Sequence, residues 1–234
     1  MGRRVLDKNN KMYNKQYAKK WIQHAESGDD YFRHHLIPFI QQAAEKARQT
    51  QPSDKPLDVL DIGCGWGEAL KHLPEDALYT GIDPVKEFLD YIREKHPKRQ
   101  LILRQGALPF DILAKMGSHD LVLCSMALHC VEDLSNSVYT LFTKAKPGGL
   151  VAIADFNDQA EQLLRKSFVN FDINEKNHVK GLYQLSDNVQ IEAEAYLHKE
   201  KQIEAALRRR GKFEKVQLGP IFVGYYSRKQ AKPL

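Results

Sequence analysis

One short segment constrains this chain more than any other. Residues 59–67 read Val-Leu-Asp-Ile-Gly-Cys-Gly-Trp-Gly, an apolar run that ends in an acid and then three alternating glycines. The apolar residues suit a strand covered on both faces, and the glycines permit positive φ, so we expect the backbone N–H groups of residues 63–65 to approach a ligand closely. Residues 68–73 have helix-forming composition, which would place the turn at a helix N-terminus. Together these features predict a nucleotide site.

A second apolar segment supports a nucleotide ligand. Residues 78–83 read Leu-Tyr-Thr-Gly-Ile-Asp, and Asp83 comes about 20 residues after Gly63. A ribose-binding acid belongs at this distance from the first glycine. The glycine spacing then separates two classes of ligand, because a dinucleotide site needs a small residue at position 68. Glu68 occupies that position, so a dinucleotide is disfavoured.

Further motifs follow in order through residues 57–156. They are Gly81-Ile82-Asp83-Pro84, Leu108-Pro109-Phe110, the strand-like run 119–129 and the turn into a strand at 146–153. With the glycine segment, these motifs resemble those of the class I S-adenosylmethionine-dependent methyltransferases. The resemblance implies a Rossmann-like α/β fold with a seven-stranded, mostly parallel sheet, helices on both faces and an antiparallel last strand, which the strand–helix alternation supports.

The resemblance also implies S-adenosylmethionine as cofactor, with S-adenosylhomocysteine as product. It places Asp83 on the ribose hydroxyls. The other expected cofactor-binding residues lie at or beyond the ends of the predicted strands and are Asp61, Gly63, Cys64, Gly65, Pro84, Gly106, Ala107, Leu108 and Ser125. Residues 104–109 carry no acid where family members commonly place one beside the adenine. We therefore expect backbone groups and apolar contacts to bind the adenine.

His129 is the candidate catalytic residue. It lies just beyond the fourth predicted strand, on the ligand side of the sheet. The methyl group of the cofactor is already activated, so the protein mainly aligns the nucleophile and excludes water. A general base helps only when the nucleophile is a hydroxyl or a protonated amine. The alternative is a structural histidine that caps the strand or packs beneath the next helix.

Segments outside the central motifs predict a cover for the site. Residues 1–52 form a predicted N-terminal helical arm, and residues 53–234 form the methyltransferase-like domain. A cap insertion at about 157–198 lacks strand–helix alternation. Open α/β sheets bind ligands beyond the carboxyl ends of their strands, so we expect the arm and the cap to cover that crevice. The candidate substrate or lid residues are Tyr13, Tyr17, Trp21 and His178, with ordinary helix packing as the alternative for the aromatic ones.

Bulk properties agree with one domain. The chain has 234 residues and no apolar run near the roughly 20 residues that span a bilayer. Its first residues lack a secretory apolar region, so we expect a cytoplasmic protein. Cys64, Cys124 and Cys130 lack the spacing of metal ligands and are expected to be small buried apolar residues. No histidine pair has helical metal-site spacing, and we predict no metal.

The charge of the chain leaves the acceptor open. Its net charge is +5, and residues 208–212 read Arg-Arg-Arg-Gly-Lys, which could bind phosphate, although Glu204 favours a solvated helix end. Three hypotheses remain. The first is methyl transfer to an oxygen, nitrogen or carbon nucleophile of a small molecule. The second is a tRNA-modifying methyltransferase acting on a carboxylate or hydroxyl, and the third is a cofactor-binding protein without transfer activity.

Overall fold

The computed structural model describes residues 15–27, 31–52, 54–108, 116–174, 177–186 and 189–230. It contains a large sheet and a small one. The strands of the large sheet are β1 Asp58–Ile62, β2 Leu78–Asp83, β3 Leu101–Gln105, β4 His119–Ser125, β5 Ala145–Phe156, β9 Phe213–Leu218 and β10 Phe222–Arg228. Those of the small sheet are β6 Phe168–Ile173, β7 His178–Ser186 and β8 Val189–Tyr196. The small sheet therefore lies within the predicted cap insertion.

Helices connect these strands. The described α-helices are α1 Lys15–Ser27, α2 Tyr31–Arg48, α3 Lys86–Lys95, α4 Leu134–Lys144, α5 Ala160–Ser167 and α6 Glu200–Arg208. Short 3-10 turns span Ala69–His72 and Leu128–Cys130. None of the helices in the described ranges combines the length and the apolarity needed to cross a membrane.

The large sheet has the predicted topology. Its strand order is β3-β2-β1-β4-β5-β10-β9, with parallel pairing from β3 to β5 and antiparallel pairing of β10 with both β5 and β9. The predicted seven-stranded, mostly parallel sheet with an antiparallel last strand is thus confirmed. Strand order reverses between β1 and β4, and ligands of open α/β sheets bind beyond the carboxyl ends of the strands at such a reversal.

Both faces of the large sheet are buried, because its strands are apolar on both sides. Val59 and Leu121 point into a core shared with Phe39 of α2 and Ile92 of α3. The alternate residues point to the opposite core, which they share with apolar side chains of α4 and α6; Leu60, Val122, Val138, Leu141, Ile203 and Leu207 are among them. The predicted helices on both faces are confirmed by this arrangement.

The second helix of the predicted arm belongs to the core. Phe39 is 1% exposed, and its ring stacks on Tyr226 at a centroid distance of 4.6 Å. The Tyr226 hydroxyl also donates to the Phe39 carbonyl oxygen at 3.0 Å. Because α2 covers the sheet, the expectation that it forms part of a lid is wrong, and only α1 remains a candidate. The boundary at residues 52 and 53 stays a prediction.

One local prediction is corrected, and the cap insertion gains a described structure. The segment after the glycine turn forms a 3-10 turn, Ala69–His72, instead of an α-helix, so no helix dipole supports the site there. The cap insertion, which lacks the strand–helix alternation of the main domain, contains α5 and the antiparallel sheet β6-β7-β8. Register shifts interrupt both strand pairings of that sheet, and such irregularities break the period-2 pattern by which strands are recognised.

Candidate functional site

The turn after β1 brings two loops together and leaves one surface open. Gly63 and Gly65 have φ values of +76° and +52°, which favour glycine. A β-carbon on Gly63 would lie 2.3 Å from the Cβ of Ala127, in the loop after β4. A β-carbon on Gly65 would meet no atom within 4 Å. Gly63 therefore permits loop contact, whereas Gly65 keeps a concave surface free of side chain.

Asp83 adjoins this open surface. Its Oδ2 accepts a hydrogen bond from the Gly65 amide at 2.9 Å, and its Oδ1 accepts one from the Val85 amide at 2.8 Å. Burial raises the pKa of the Asp83 carboxyl to about 7, although these two N–H donors act in the opposite direction. A carboxylate has about four acceptor positions, so each oxygen retains capacity for a ligand hydroxyl.

The backbone amides of the turn correct one expectation. The Gly63 and Cys64 amides donate to the Ile82 carbonyl oxygen at 2.8 and 3.1 Å, and the Gly65 amide donates to Asp83. The β1–β2 pairing continues into the turn, so these N–H groups are already used. The prediction that they bind a ligand directly is wrong for this structure. The carboxylate of Asp83 and the bare Cα of Gly65 border the open surface instead.

Other predicted cofactor residues lie beneath or beside the turn. Asp61 is buried, accepts a hydrogen bond from the Tyr79 hydroxyl at 2.7 Å, and has its pKa raised by burial to about 6. Cys64 is buried in the core, and a β-carbon on Gly81 would be 3.0 Å from its Sγ. These two side chains support the turn from below. Their contact with the cofactor stays a prediction.

The loop after β3 and the end of β4 complete this edge of the sheet. The Gly106 amide donates to the Asp83 carbonyl oxygen at 3.0 Å, and the Pro84 carbonyl oxygen accepts from Gln105 at 2.8 Å. Leu108 is buried in one of the two cores, and Ala107 is half-buried beside it. Ser125 ends β4. Pro109 and Phe110 lie outside the described residues.

His129 and Asp155 form a pair at the carboxyl end of the sheet. His129 lies in the 3-10 turn after β4, and Asp155 lies near the end of β5; the distance from Nδ1 to Oδ1 is 2.9 Å. Asp155 also accepts from the His129 amide at 3.1 Å and the Phe156 amide at 2.8 Å. Sequence reasoning missed Asp155. The available signal was an acid near the carboxyl end of a predicted strand, which pairs with His129 only once β5 lies beside β4.

Electrostatics favour the ionic form of this pair. Burial opposes ionisation of Asp155, but the nearby His129 and the amide donors outweigh it and lower the Asp155 pKa. Burial likewise opposes protonation of His129, yet the Cys130 sulfur and the Asp155 carboxylate together raise its pKa well above the ordinary value. The pair thus combines a fixed carboxylate with an imidazole that holds its proton strongly.

The cysteine prediction needs one correction. Cys64 and Cys124 are buried as predicted, whereas Cys130 is exposed at the end of the 3-10 turn that follows β4. The Tyr17 side chain of α1 approaches the same region. Burial raises the pKa of the Tyr17 hydroxyl, and negative charge at Cys130 and at Asp83 acts in the same direction. Tyr17 is therefore near both the predicted ribose carboxylate and the loop that carries His129.

An aromatic column joins three separate segments. It consists of Trp66 in the glycine turn, Trp21 in α1 and Tyr183 in β7. Trp21 stacks on Trp66 with a centroid distance of 5.8 Å and on Tyr183 with a distance of 6.3 Å. The predicted arm and the inserted sheet therefore meet at the glycine turn. Tyr13 lies outside the described residues, and the lid role of Tyr17 and Trp21 stays a prediction.

His178 is engaged within the inserted sheet. Its ring stacks on that of Tyr196 at 4.2 Å, and its Nε2 lies 3.3 Å from Oε2 of Glu194. These contacts give it a structural part in β7 and β8, and its contact with a substrate stays a prediction. Across the ranges that the structure describes, no group of three or more His, Cys, Asp or Glu residues is arranged to hold a metal ion.

Comparison with known proteins identifies the domain. Residues 60–153, which include the glycine turn, Asp83 and His129, match a family model described as a methyltransferase domain. This match supports a class I S-adenosylmethionine-dependent methyltransferase domain over that segment. Solved structures share its fold. An S-adenosylmethionine-dependent methyltransferase from Clostridium acetobutylicum matches the domain with a TM-score of 0.62 and 17% identity, covering 94% of this chain and 100% of that one.

Other similar proteins include an N-methyltransferase and an O-methyltransferase. The N-methyltransferase NodS from Bradyrhizobium japonicum, in complex with S-adenosylhomocysteine, matches with a TM-score of 0.57 and 15% identity over 86% of this chain and 89% of that one. A malonyl-[acyl-carrier protein] O-methyltransferase of Halalkalibacterium halodurans is 28% identical over 58% of this chain and 50% of its own length. An uncharacterized methyltransferase of Schizosaccharomyces pombe is 31% identical over 42% of this chain and 38% of its own length. The chain thus spans half or less of these two curated relatives.

Proposed function

We propose that this chain is an S-adenosylmethionine-dependent methyltransferase that transfers a methyl group to an oxygen, nitrogen or carbon nucleophile of a small-molecule acceptor. The observation that carries the proposal is the pairing of Gly65 with Asp83 at the carboxyl end of the sheet, within the segment that matches the methyltransferase family model. The related structures with bound product support the same cofactor.

The residues present fit this cofactor. The surface at Gly65 is open where a side chain would fill it, and Asp83 retains acceptor capacity for the two ribose hydroxyls. The cofactor supplies a methyl group already activated by the sulfonium, so the chain has to bind, align and exclude water. Glu68 argues against a pyrophosphate ligand, because it places a carboxylate beside the turn. Contacts with Lys71 and His72 at 2.9 and 3.2 Å hold that carboxylate there.

The loop that carries His129 lies next to the glycine turn. β1 and β4 are neighbours, and their following loops touch at Gly63 and Ala127. His129 comes two residues after Ala127, so the loop that touches the glycine turn also carries His129, whose partner Asp155 lies on β5. This arrangement suits an in-line transfer between a ligand held beside Asp83 and a nucleophile near His129.

The cover over this edge favours a small acceptor over an RNA. Trp21 connects α1 to the glycine turn and to β7, and His198, just after β8, contacts the Val131 carbonyl oxygen through Nε2 at 2.8 Å. Both α1 and the inserted sheet are therefore attached around the site. Residues of the basic segment are also occupied, since Arg208 contacts Glu204 at 3.3 Å and Arg210 lies over the Tyr139 ring at 4.4 Å.

Calorimetry with S-adenosylmethionine and S-adenosylhomocysteine tests the cofactor. We expect binding of both by the wild-type chain and a large loss with Asp83→Asn, while Asp90→Asn serves as control because Asp90 is an exposed acid paired with Lys86 and Arg93 on α3. Absence of binding at millimolar concentration would contradict the proposal. Equal affinities of the two variants would contradict the assignment of Asp83.

Release of S-adenosylhomocysteine then separates the acceptor classes. The panel should contain small amines, alcohols, phenols and carboxylic acids, a malonylated acyl carrier protein and a tRNA pool. We expect turnover with a small molecule. Turnover with tRNA alone, steeply reduced by salt, would favour the RNA-modifying hypothesis. Binding without turnover on any arm of the panel would favour a protein that binds the cofactor without transferring its methyl group.

A further inference from the structure

We infer that Asp155 is a positioning residue that fixes His129 as the general base of methyl transfer, and that the acceptor is consequently a nucleophile that loses a proton, namely a hydroxyl or an amine. Because it names the acceptor chemistry of the same site, this assignment rests on the proposed function. The residues that carry it are three neighbours at the ends of β4 and β5: His129, Asp155 and Phe156.

The hydrogen bonds around Asp155 determine the tautomer of His129. An ionised carboxylate only accepts hydrogen bonds, so Nδ1 of His129 must carry the proton in the 2.9 Å contact with Oδ1 of Asp155. Backbone amides of His129 and Phe156 hold the carboxylate in place at 3.1 and 2.8 Å. In the neutral ring, Nε2 is then the proton acceptor. A carboxylate behind Nδ1 thus leaves the opposite nitrogen as a base.

The two side chains of the pair differ in exposure. The Asp155 side chain is 4% exposed, whereas the His129 side chain is 17% exposed. The Phe156 ring packs against the imidazole at a centroid distance of 4.9 Å. Nδ1 contacts the buried carboxylate, and the Cys130 side chain makes a further hydrogen bond with the ring. The imidazole is therefore the more exposed member of the pair.

Other titratable groups near His129 influence its pKa. They are Asp155 from β5, Cys130 in the same 3-10 turn and His198 from the segment after β8. Burial and His129 together lower the pKa of His198 despite opposing contacts, whereas the His129 pKa is raised. Of the two histidines, His129 holds its proton more strongly than His198. His129 becomes a base when the pH rises above its pKa.

The transfer step balances with this base. A lone pair of the acceptor oxygen or nitrogen forms the new bond to the methyl carbon, and the carbon–sulfur bond breaks with its electron pair remaining on sulfur. The acceptor O–H or N–H proton passes to Nε2 of His129 and later to water. Asp155 stabilises the resulting imidazolium without taking the proton itself. A carboxylate acceptor has no proton to lose at working pH and needs no such base.

A second histidine–aspartate pair provides the matched control. His119 Nδ1 lies 2.7 Å from Oδ1 of Asp58 at the opposite, amino-terminal edge of the sheet. There the His119 Nε2 is buried and has no hydrogen-bond partner among the described residues, so it cannot exchange protons with an acceptor. The two pairs share the same contact between an imidazole Nδ1 and a carboxylate. They lie at opposite edges of the sheet.

Nitrogen-15 NMR of histidine-labelled protein tests the pair without any acceptor. We would titrate the wild type, Asp155→Asn and Asp58→Asn, with His129→Gln used to assign the signal. In the wild type, neutral His129 should be protonated at Nδ1 and titrate above the ordinary value of about 6.5. Asp155→Asn should lower its midpoint by at least about one unit, a tenfold change in acidity, and Asp58→Asn should leave it unchanged.

Several outcomes would overturn the assignment. The first is that neutral His129 in the wild type carries its proton on Nε2, a measurement that needs no variant. The second is that the titration midpoint of His129 is the same in folded Asp155→Asn as in the wild type. Calorimetry with S-adenosylmethionine on the same samples keeps the two proposals separate, because a chain that does not bind the cofactor contradicts the proposed function while the titration still judges the pair. Turnover of a carboxylic acid alone would overturn the acceptor chemistry inferred from His129.

Discussion

Gly63 and Ala127 touch where the loops after β1 and β4 meet, and a β-carbon on Gly63 would lie 2.3 Å from that of Ala127. Real β-carbons do not approach so closely, so the contact is possible only with glycine at position 63. The φ value of +76° at this residue adds a second requirement for glycine. The contact joins the loop near the expected cofactor to the loop that carries His129.

Gly63→Ala should therefore destabilise the fold. A non-glycine residue in this region of φ costs about 1–3 kcal/mol, and the overlap with Ala127 adds to that cost. We expect a decrease of more than about 2 kcal/mol in the free energy of unfolding, measured with urea. Gly65→Ala is the control, because its added methyl group meets nothing within 4 Å. Equal losses for the two variants would show that the Ala127 contact is unimportant.

Gly65→Ala should instead weaken cofactor binding. Its methyl group would occupy the open surface beside Asp83, and we expect at least a tenfold increase in the dissociation constant of S-adenosylhomocysteine, equivalent to about 1.4 kcal/mol. Gly148→Ala is the matched control, since Gly148 has φ +77°, also has no atom within 4 Å of a built β-carbon, and lies between α4 and the rest of β5. Calorimetry of both variants should show a loss for Gly65→Ala alone.

Cofactor binding should strengthen as the pH rises through neutrality. Burial raises the folded-state pKa of Asp83 to about 7, so the carboxylate that we propose accepts the ribose hydroxyls forms mainly above that pH. At pH values between the ordinary pKa and about 7, Asp83 is protonated in the folded chain and ionised in the unfolded chain. The contribution of Asp83 to the free energy of unfolding is therefore lost as the pH rises through this range. We expect the dissociation constant to fall roughly tenfold between pH 6 and pH 8. Asp83→Asn, titrated with the same ligand, should remove this dependence.

The sequence predicted those parts of the fold that depend on local pattern. β1 is buried along most of its length, as its apolar run predicted. The inserted sheet was missed because bulges disturb its alternation. The His129–Asp155 contact was missed because it exists only when β5 lies beside β4, 26 residues along the chain. Local pattern does not report such pairings.

The N–H groups of the glycine turn also show that local sequence pattern does not identify hydrogen-bond partners from another strand. Positive φ at Gly63 and Gly65 follows from the spacing of the glycines, and the structure has it. The partner of each amide depends on the neighbouring strand. The Ile82 carbonyl oxygen and Asp83 take these amides because β2 pairs with β1 in register up to Ile62 and Ile82.

The aromatic column should be visible by spectroscopy. The chain contains 2 tryptophans, Trp21 and Trp66, and their rings stack at 5.8 Å with an interplanar angle of 19°. Near-ultraviolet circular dichroism and tryptophan fluorescence therefore report on the column. We expect cofactor binding to change both signals and Trp21→Ala to weaken binding several-fold. Tyr139→Ala, which removes an exposed aromatic residue of α4, should leave binding unchanged. Unaltered affinity of Trp21→Ala would argue against a lid role.

Acid should weaken the opposite edge of the sheet. Burial opposes ionisation of Asp58, but His119 and Lys146 outweigh it and lower the Asp58 pKa. A lowered folded-state pKa stabilises the fold above the ordinary value near 4 and is lost as the pH falls through the folded-state pKa. Asp58→Asn should reduce the urea midpoint at pH 7 and have little effect near pH 3. Its affinity for the cofactor should match that of the wild type.

The glycine turn holds its shape without help from a bound molecule, because the amides of residues 63–65 are already closed onto Ile82 and Asp83. A nucleoside that binds at this turn, as proposed above, therefore does not have to order the backbone of the turn. Little conformational entropy is then lost at this turn on association, and more of the interaction energy is retained as affinity. Variants that loosen the turn, such as those at Ile82, should consequently bind more weakly without altering any group in contact with the nucleoside.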